Sequence, residues 1–92
     1  MFQVPYTSQL YAEDEQYVAV CPELNVSSFG DSPADALAAL KEAVTLFLEE
    51  CQRMDTLLLV LEEAGYQCDS TKPNQWIHRE PIQINRLEAS FA

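Results

Sequence analysis

Residues 28–40, SFGDSPADALAAL, constrain the fold more than any other stretch, because they fix where extended backbone stops and helix begins. VSSF (26–29) reads as a short strand, and Gly30 permits a backbone conformation that other residues would resist. Ser32 then has the character of an N-cap, with Pro33 at the first helical position. Asp35 falls three residues after the cap, its carboxylate at the positive end of the helix dipole. A sheet therefore delivers the chain directly into a helix.

Downstream, Leu37, Leu40, Val44, Phe47, Cys51 and Met54 recur at three-four spacing, a stripe suited to packing on a sheet. Lys41, Glu42, Glu49 and Glu50 fall towards water. The spacing runs on through Leu58 and Leu61, so residues 33–64 could form one helix or two. Two are expected, with Asp55 as the second N-cap and Gly65 as the final stop. A coiled coil would show the same stripe, but flanking strands favour a helix that covers a sheet.

The rest of the chain supplies those strands. Residues 2–12 alternate loosely, with Phe2, Val4, Tyr6 and Leu10 on one side, and Pro5 marks an edge or bulge. EDEQ (13–16) is a polar turn, and YVAVC (17–21) is apolar on both sides, as a central strand would be. PELN (22–25) turns the chain into VSSF. After Gly65, YQC reads as a brief strand, DSTKPN as a loop, and QWIHRE and IQINRLEAS as strand-like stretches split by Pro81, with Ile82 and Ile84 on one face. The expected architecture is one α+β domain over residues 1–92. Its order is β-β-β-α-(α)-β-β, an antiparallel sheet with helices packed on one face.

Charge narrows the choice of partner. Fifteen acidic residues oppose five basic ones, for a net charge of −10, and no Lys or Arg precedes Lys41. Glu13, Asp14, Glu15, Glu23, Asp31 and Asp35 all lie in that cation-free segment. Such a field repels nucleic acid and attracts basic macromolecules, although the same carboxylates would also simply keep a surface solvated. Cys21, Cys51 and Cys68 are odd in number and form no CxxC pair, so no disulfide framework or zinc site is expected. Reduced cysteines, the absence of a signal-peptide pattern and the absence of a long apolar run place the chain in the cytoplasm as an expectation.

Signals for catalysis are weak. His78 is the single histidine, and Ser70, Thr71 and Glu80 stand near it without a recognisable spacing. Two glycines cannot build a phosphate cradle, and no metal-binding signature organises the carboxylates, so neither catalytic residues nor a cofactor or metal is expected. Trp76 has no cationic neighbours to suggest base stacking and suits an anchor in a core or interface. The residues alone describe an acidic sheet-and-helix domain suited to binding rather than to chemistry.

Residues 17–50, YVAVCPELNVSSFGDSPADALAALKEAVTLFLEE, resemble the HicB family of antitoxins. That family's N-terminal domain runs Tyr-x-x-x-x-Pro-Asp/Glu-Leu, then Ser/Thr-x-Gly-Asp/Glu-Thr/Ser, then a Glu/Asp-Ala-Leu helix ending Leu-x-Leu-Glu. Tyr17, Pro22-Glu23-Leu24, Ser28, Gly30-Asp31-Ser32, Asp35-Ala36-Leu37, Glu42-Ala43 and Leu46 to Glu49 fit this frame, and MDTLLLVLEEAGY (54–66) looks like its continuation in short members. Leu24-Asn25-Val26-Ser27 stands where many relatives have Leu-Pro-Gly-Cys. Many relatives also carry a C-terminal helix-turn-helix or ribbon-helix-helix domain. The few residues after Gly65 read as strands instead, so DNA binding is not carried over.

The resemblance implies a partial RNase H-like fold without that enzyme's metal carboxylates. It also implies self-association as a dimer or higher oligomer. The partner implied is a HicA-type toxin, a small basic ribonuclease that cleaves mRNA and whose active site the antitoxin masks. Glu13, Asp14, Glu15, Glu23 and Asp31 are then the expected toxin contacts. An orphan interaction module without a toxin is the alternative. A small ribonuclease is a third reading, because residues 61–84 faintly echo the toxin side, though without its Gly-Ser-His hairpin.

Overall fold

A computed structural model describes residues 2–92. Strands β1 (Gln9–Glu13), β2 (Gln16–Cys21) and β3 (Val26–Gly30) are followed by helices α1 (Pro33–Arg53) and α2 (Leu57–Glu63), then strands β4 (Tyr66–Cys68) and β5 (Trp76–His78). The class and element order are those expected from the sequence. The strands divide between two sheets, an antiparallel β1-β2-β3 sheet with β2 central and an antiparallel β4-β5 pair.

Both turns of the first sheet rest on residues that tolerate left-handed backbone. Asp14 (φ 55°) helps to close the two-residue loop between β1 and β2, and Asn25 (φ 56°) sits in the turn before β3. Pairing sets Leu10 opposite Ala19 and Ala19 opposite Ser28, and Cys21 opposite Val26. Ala19 and Cys21 are fully buried, so their side of the sheet is the one that α1 covers.

Gly30 has a different purpose from the one its sequence context suggests. It is not among the residues with positive φ; it is where β3 and the first turn of α1 touch. A Cβ there would lie 2.6 Å from the Ala36 nitrogen and 2.7 Å from the Asp35 Cβ. The cap itself is as expected: Ser32 is extended (φ −140°, ψ 162°), and its Oγ accepts from the Asp35 N–H at 3.1 Å. Because the helix starts so close to the sheet, Ala36 is the inward residue of the first turn. Leu37 is 40% exposed, and the buried stripe runs Ala36, Leu40, Val44, Cys51. Met54 also leaves the stripe, being 59% exposed.

Two helices form, but not with Asp55 as a cap. Asp55 takes φ 61° and ends α1: its N–H reaches the Gln52 carbonyl at 3.1 Å, and the Thr56 N–H reaches the Cys51 carbonyl at 2.9 Å. This is a Schellman arrangement with Asp in the position usually held by Gly. Thr56 is the α2 N-cap, without a side-chain capping bond. Gly65 (φ 91°) ends α2 as expected.

The long helix joins two apolar clusters. Ala19, Cys21, Ala36, Leu40 and Val44 form one beneath the three-stranded sheet. Cys51, Leu57, Leu61, Tyr66 and Trp76 form the other, and Leu24 and Leu48 pack against both. Burying a side chain such as Leu40 or Leu61 contributes about 1.5–3 kcal/mol. The N-terminal segment, expected to be strand from residue 2, has no regular structure before β1 and pairs only briefly. The Gln3 N–H donates to the Asn74 carbonyl and the Trp76 N–H to that of Gln3, a single parallel bridge to the second sheet. The strand expected after Pro81 is absent: residues 79–92 have no regular structure, and Ile82, Ile84, Leu87 and Phe91 are 84–105% exposed. Residue 79 begins this tail, and Pro81 fixes its backbone just beyond β5.

Candidate interaction surface

Register alone decides which carboxylates can act together. Glu13 lies opposite Gln16, and Tyr17 lies opposite Gly30, so the β1-β2 turn and the β3-to-α1 connection meet at one end of the sheet. Glu13, Asp14, Glu15 and Asp31 are thereby brought to that end, and all four are exposed. Asp35, in the first turn of α1, follows close behind.

Glu23 is not with them. It lies in the turn between β2 and β3, at the opposite end, and it is already engaged. Its carboxylate accepts from the Thr7 hydroxyl at 2.7 Å and from the Thr7 N–H at 3.1 and 3.2 Å, and faces the Cys21 thiol at 3.6 Å. Burial pushes the Glu23 carboxyl up, but these bonds to Thr7 outweigh it and hold its pKa below the ordinary value. Glu23 thus ties down the N-terminal segment. Burial, followed by the neighbouring Glu23 charge, raises the Cys21 thiol above its ordinary value. Cys51 is also buried, Cys68 is exposed, and all three are free thiols.

The sheet face turned away from α1 carries a feature that sequence reasoning missed. Tyr11, Val18 and Phe29 are direct cross-strand neighbours on β1, β2 and β3, and so form one apolar row across all three strands. Tyr11 is 53% and Phe29 64% exposed. Beside the row lies an open depression of about 430 Å³ whose lining includes Glu13, Asp14, Val18 and Phe29. An apolar centre edged by acidic groups has the anatomy of a protein interface. The individual residues were visible in the sequence, but only the pairing register shows that they are aligned.

His78 has a structural position. Its ring is half-buried, Nε2 donates to the Ala64 carbonyl at 2.9 Å, and it meets the Tyr66 ring edge-to-face at 4.7 Å. The ring also lies close over Gly65, leaving 3.3 Å to where a Cβ would sit. Tyr66 in turn donates its hydroxyl to the Pro5 carbonyl at 2.6 Å, and burial pushes its phenol pKa strongly up. Thr71 is turned to Asp69, donating its hydroxyl at 2.7 Å. Trp76 is buried, as an anchor would be, and its Nε1 has no partner.

Among the described residues, no three His, Cys, Asp or Glu side chains are grouped to hold a metal ion, and no helix is long and apolar enough to cross a membrane. No protein-family model, no curated protein and no solved structure matches this chain.

Proposed function

We propose that this chain is an antitoxin-type binding protein of the HicB kind, which neutralises a small basic HicA-like ribonuclease by covering its active site. In this role the protein makes and breaks no covalent bond. Its support is the convergence of Glu13, Asp14, Glu15 and Asp31 at one end of a sheet whose outer face exposes the row Tyr11, Val18 and Phe29. The carboxylates would steer a cationic enzyme and the apolar row would hold it. Glu23, committed to Thr7, is the expected contact least suited to this role.

The test is RNA cleavage by a small basic HicA-like toxin, if one is encoded beside the gene, with and without an equimolar amount of the chain. Cleavage should be abolished, and inhibition should weaken as salt is raised. The triple variant Glu13→Gln, Asp14→Asn, Asp31→Asn should slow association by on the order of tenfold while leaving the fold intact. RNA cleavage that continues undiminished would overturn the reading.

The alternative of an orphan, self-associating interaction module is supported by the apolar surface left open on the outer sheet face and on residues 79–92. The absence of a toxin-like reading frame beside the gene would favour it. We also infer self-association as a homodimer or higher oligomer, with a dimer mass in light scattering at micromolar concentration as the expected result. The ribonuclease reading has less support, because the His78 Nε2 is engaged by the Ala64 carbonyl. Neither the wild type nor His78→Ala should cleave RNA.

A further inference from the structure

Two apolar features of this chain lack partners and match each other in chemistry. One is the tail. Ile82, Ile84, Leu87 and Phe91 are 105%, 84%, 86% and 94% exposed, so none of them rests on its own body. Ile82 and Ile84 alternate, which puts them on one side of an extended backbone. From Ile82 to Phe91 such a backbone reaches about 30 Å.

The other feature is a trough. Two open depressions, each of about 570 Å³, meet at Phe2. Val4, Leu48 and Leu57 line one side, and Leu58 and Tyr66 line the other. Phe2 itself is 40% exposed and Leu58 60%. Glu49 and Glu62 also border the trough, and no Lys or Arg lines it.

Charge selects the occupant. The body of one molecule repels the body of another, since all of the −10 net charge lies before residue 79. The tail instead balances Glu80 and Glu88 with Arg79 and Arg86, two of the five basic residues in the chain. It is the segment best able to approach a second acidic body, and Arg86 within it complements Glu49 and Glu62.

We propose that residues 81–91 are an exchange arm: the tail of one copy lies in the Phe2 trough of a second copy, which returns its own. Pro81, lacking an N–H, rules out continuation of this segment as a regular ladder with β4. Ile82 and Ile84 share one side of the extended arm; with partial cover of Leu87 and Phe91 on the other, they bury on the order of 300 Å² per arm. Two arms and two troughs then reach roughly 1,200 Å², the lower end of a specific interface. A reciprocal exchange is symmetric and closes on itself, giving a dimer rather than a fibre.

This inference rests on the self-association proposed above and is independent of toxin binding. Light scattering at about 10 µM on the full chain tests it against two full-length variants. Ile82→Asp with Ile84→Asp alters side chains that touch nothing in the body. Leu58→Asp alters an exposed position of the trough. The wild type should have a dimer mass and each variant a monomer mass, with dissociation constants raised at least 100-fold and unchanged far-ultraviolet circular dichroism. A monomeric wild type would overturn self-association and the arm together. A dimeric wild type whose tail variant stays dimeric would overturn the arm alone. Should Leu58→Asp fail to fold, the tail variant decides.

Discussion

Glu23 shows how one side chain can look like a contact residue and be a tether. In sequence it is one more carboxylate of a cation-free segment; in the fold it receives three hydrogen bonds from Thr7, sixteen residues away. Its folded pKa is lowered, so its contribution to stability is present above the unfolded value near 4.5 and is lost as pH falls below that. Glu23→Gln should therefore lower the urea midpoint at pH 7, and the gap to wild type should close as the pH is brought below 4.5. A gap that widens on acidification would contradict this assignment. Nothing in the local sequence could have revealed the pairing, because Thr7 belongs to a segment without regular structure. The cap at Ser32 was legible for the opposite reason: its partner, the Asp35 N–H, is three residues away.

At the level of elements, the junction of β3 and α1 is the most tightly specified part of the molecule. Gly30 lies against the Ala36 nitrogen and the Asp35 Cβ, so a methyl group there meets backbone that cannot move without shifting the helix. Gly30→Ala should cost about 1–3 kcal/mol, measured by urea unfolding, and should disturb the first turn of α1. Loss of less than a few tenths would mean that the junction yields easily. The number and order of elements were readable from periodicity and turn residues, while several boundaries were not. Asp55 was read as a cap because Asp commonly starts helices, yet its left-handed backbone finishes α1 and Thr56 begins α2. Ala36 takes the inward place expected of Leu37, because three-four spacing within a helix says nothing of how close the sheet stands. The alternation of Ile82 and Ile84 suggested a strand, but a strand needs a neighbour, and its own sheet provides none.

Over the whole molecule, surplus negative charge is the dominant fact. Among the described residues one ion pair forms, Glu50 with Arg53, and both side chains are exposed, so it offsets little of the repulsion. Raising sodium chloride from 10 to 300 mM, a change in screening length from about 30 Å to about 6 Å, should raise the Tm. A Tm that falls over this range would mean that attraction between charges matters more than their repulsion. The net charge was legible from composition, but its distribution was not: the fold gathers Glu13, Asp14, Glu15 and Asp31 and sends Glu23 elsewhere.

Every residue of β1 is exposed, and the strand is held chiefly by its ladder to β2. Backbone hydrogen bonds are indifferent to side-chain identity, so β1 is where this protein can change most freely without unfolding. It is also where Tyr11 and Glu13 stand, beside the open face of the sheet. A lineage carrying this fold could therefore acquire a new binding preference by substitutions at Gln9, Tyr11 and Glu13, which lie on the face away from α1, leaving both cores untouched.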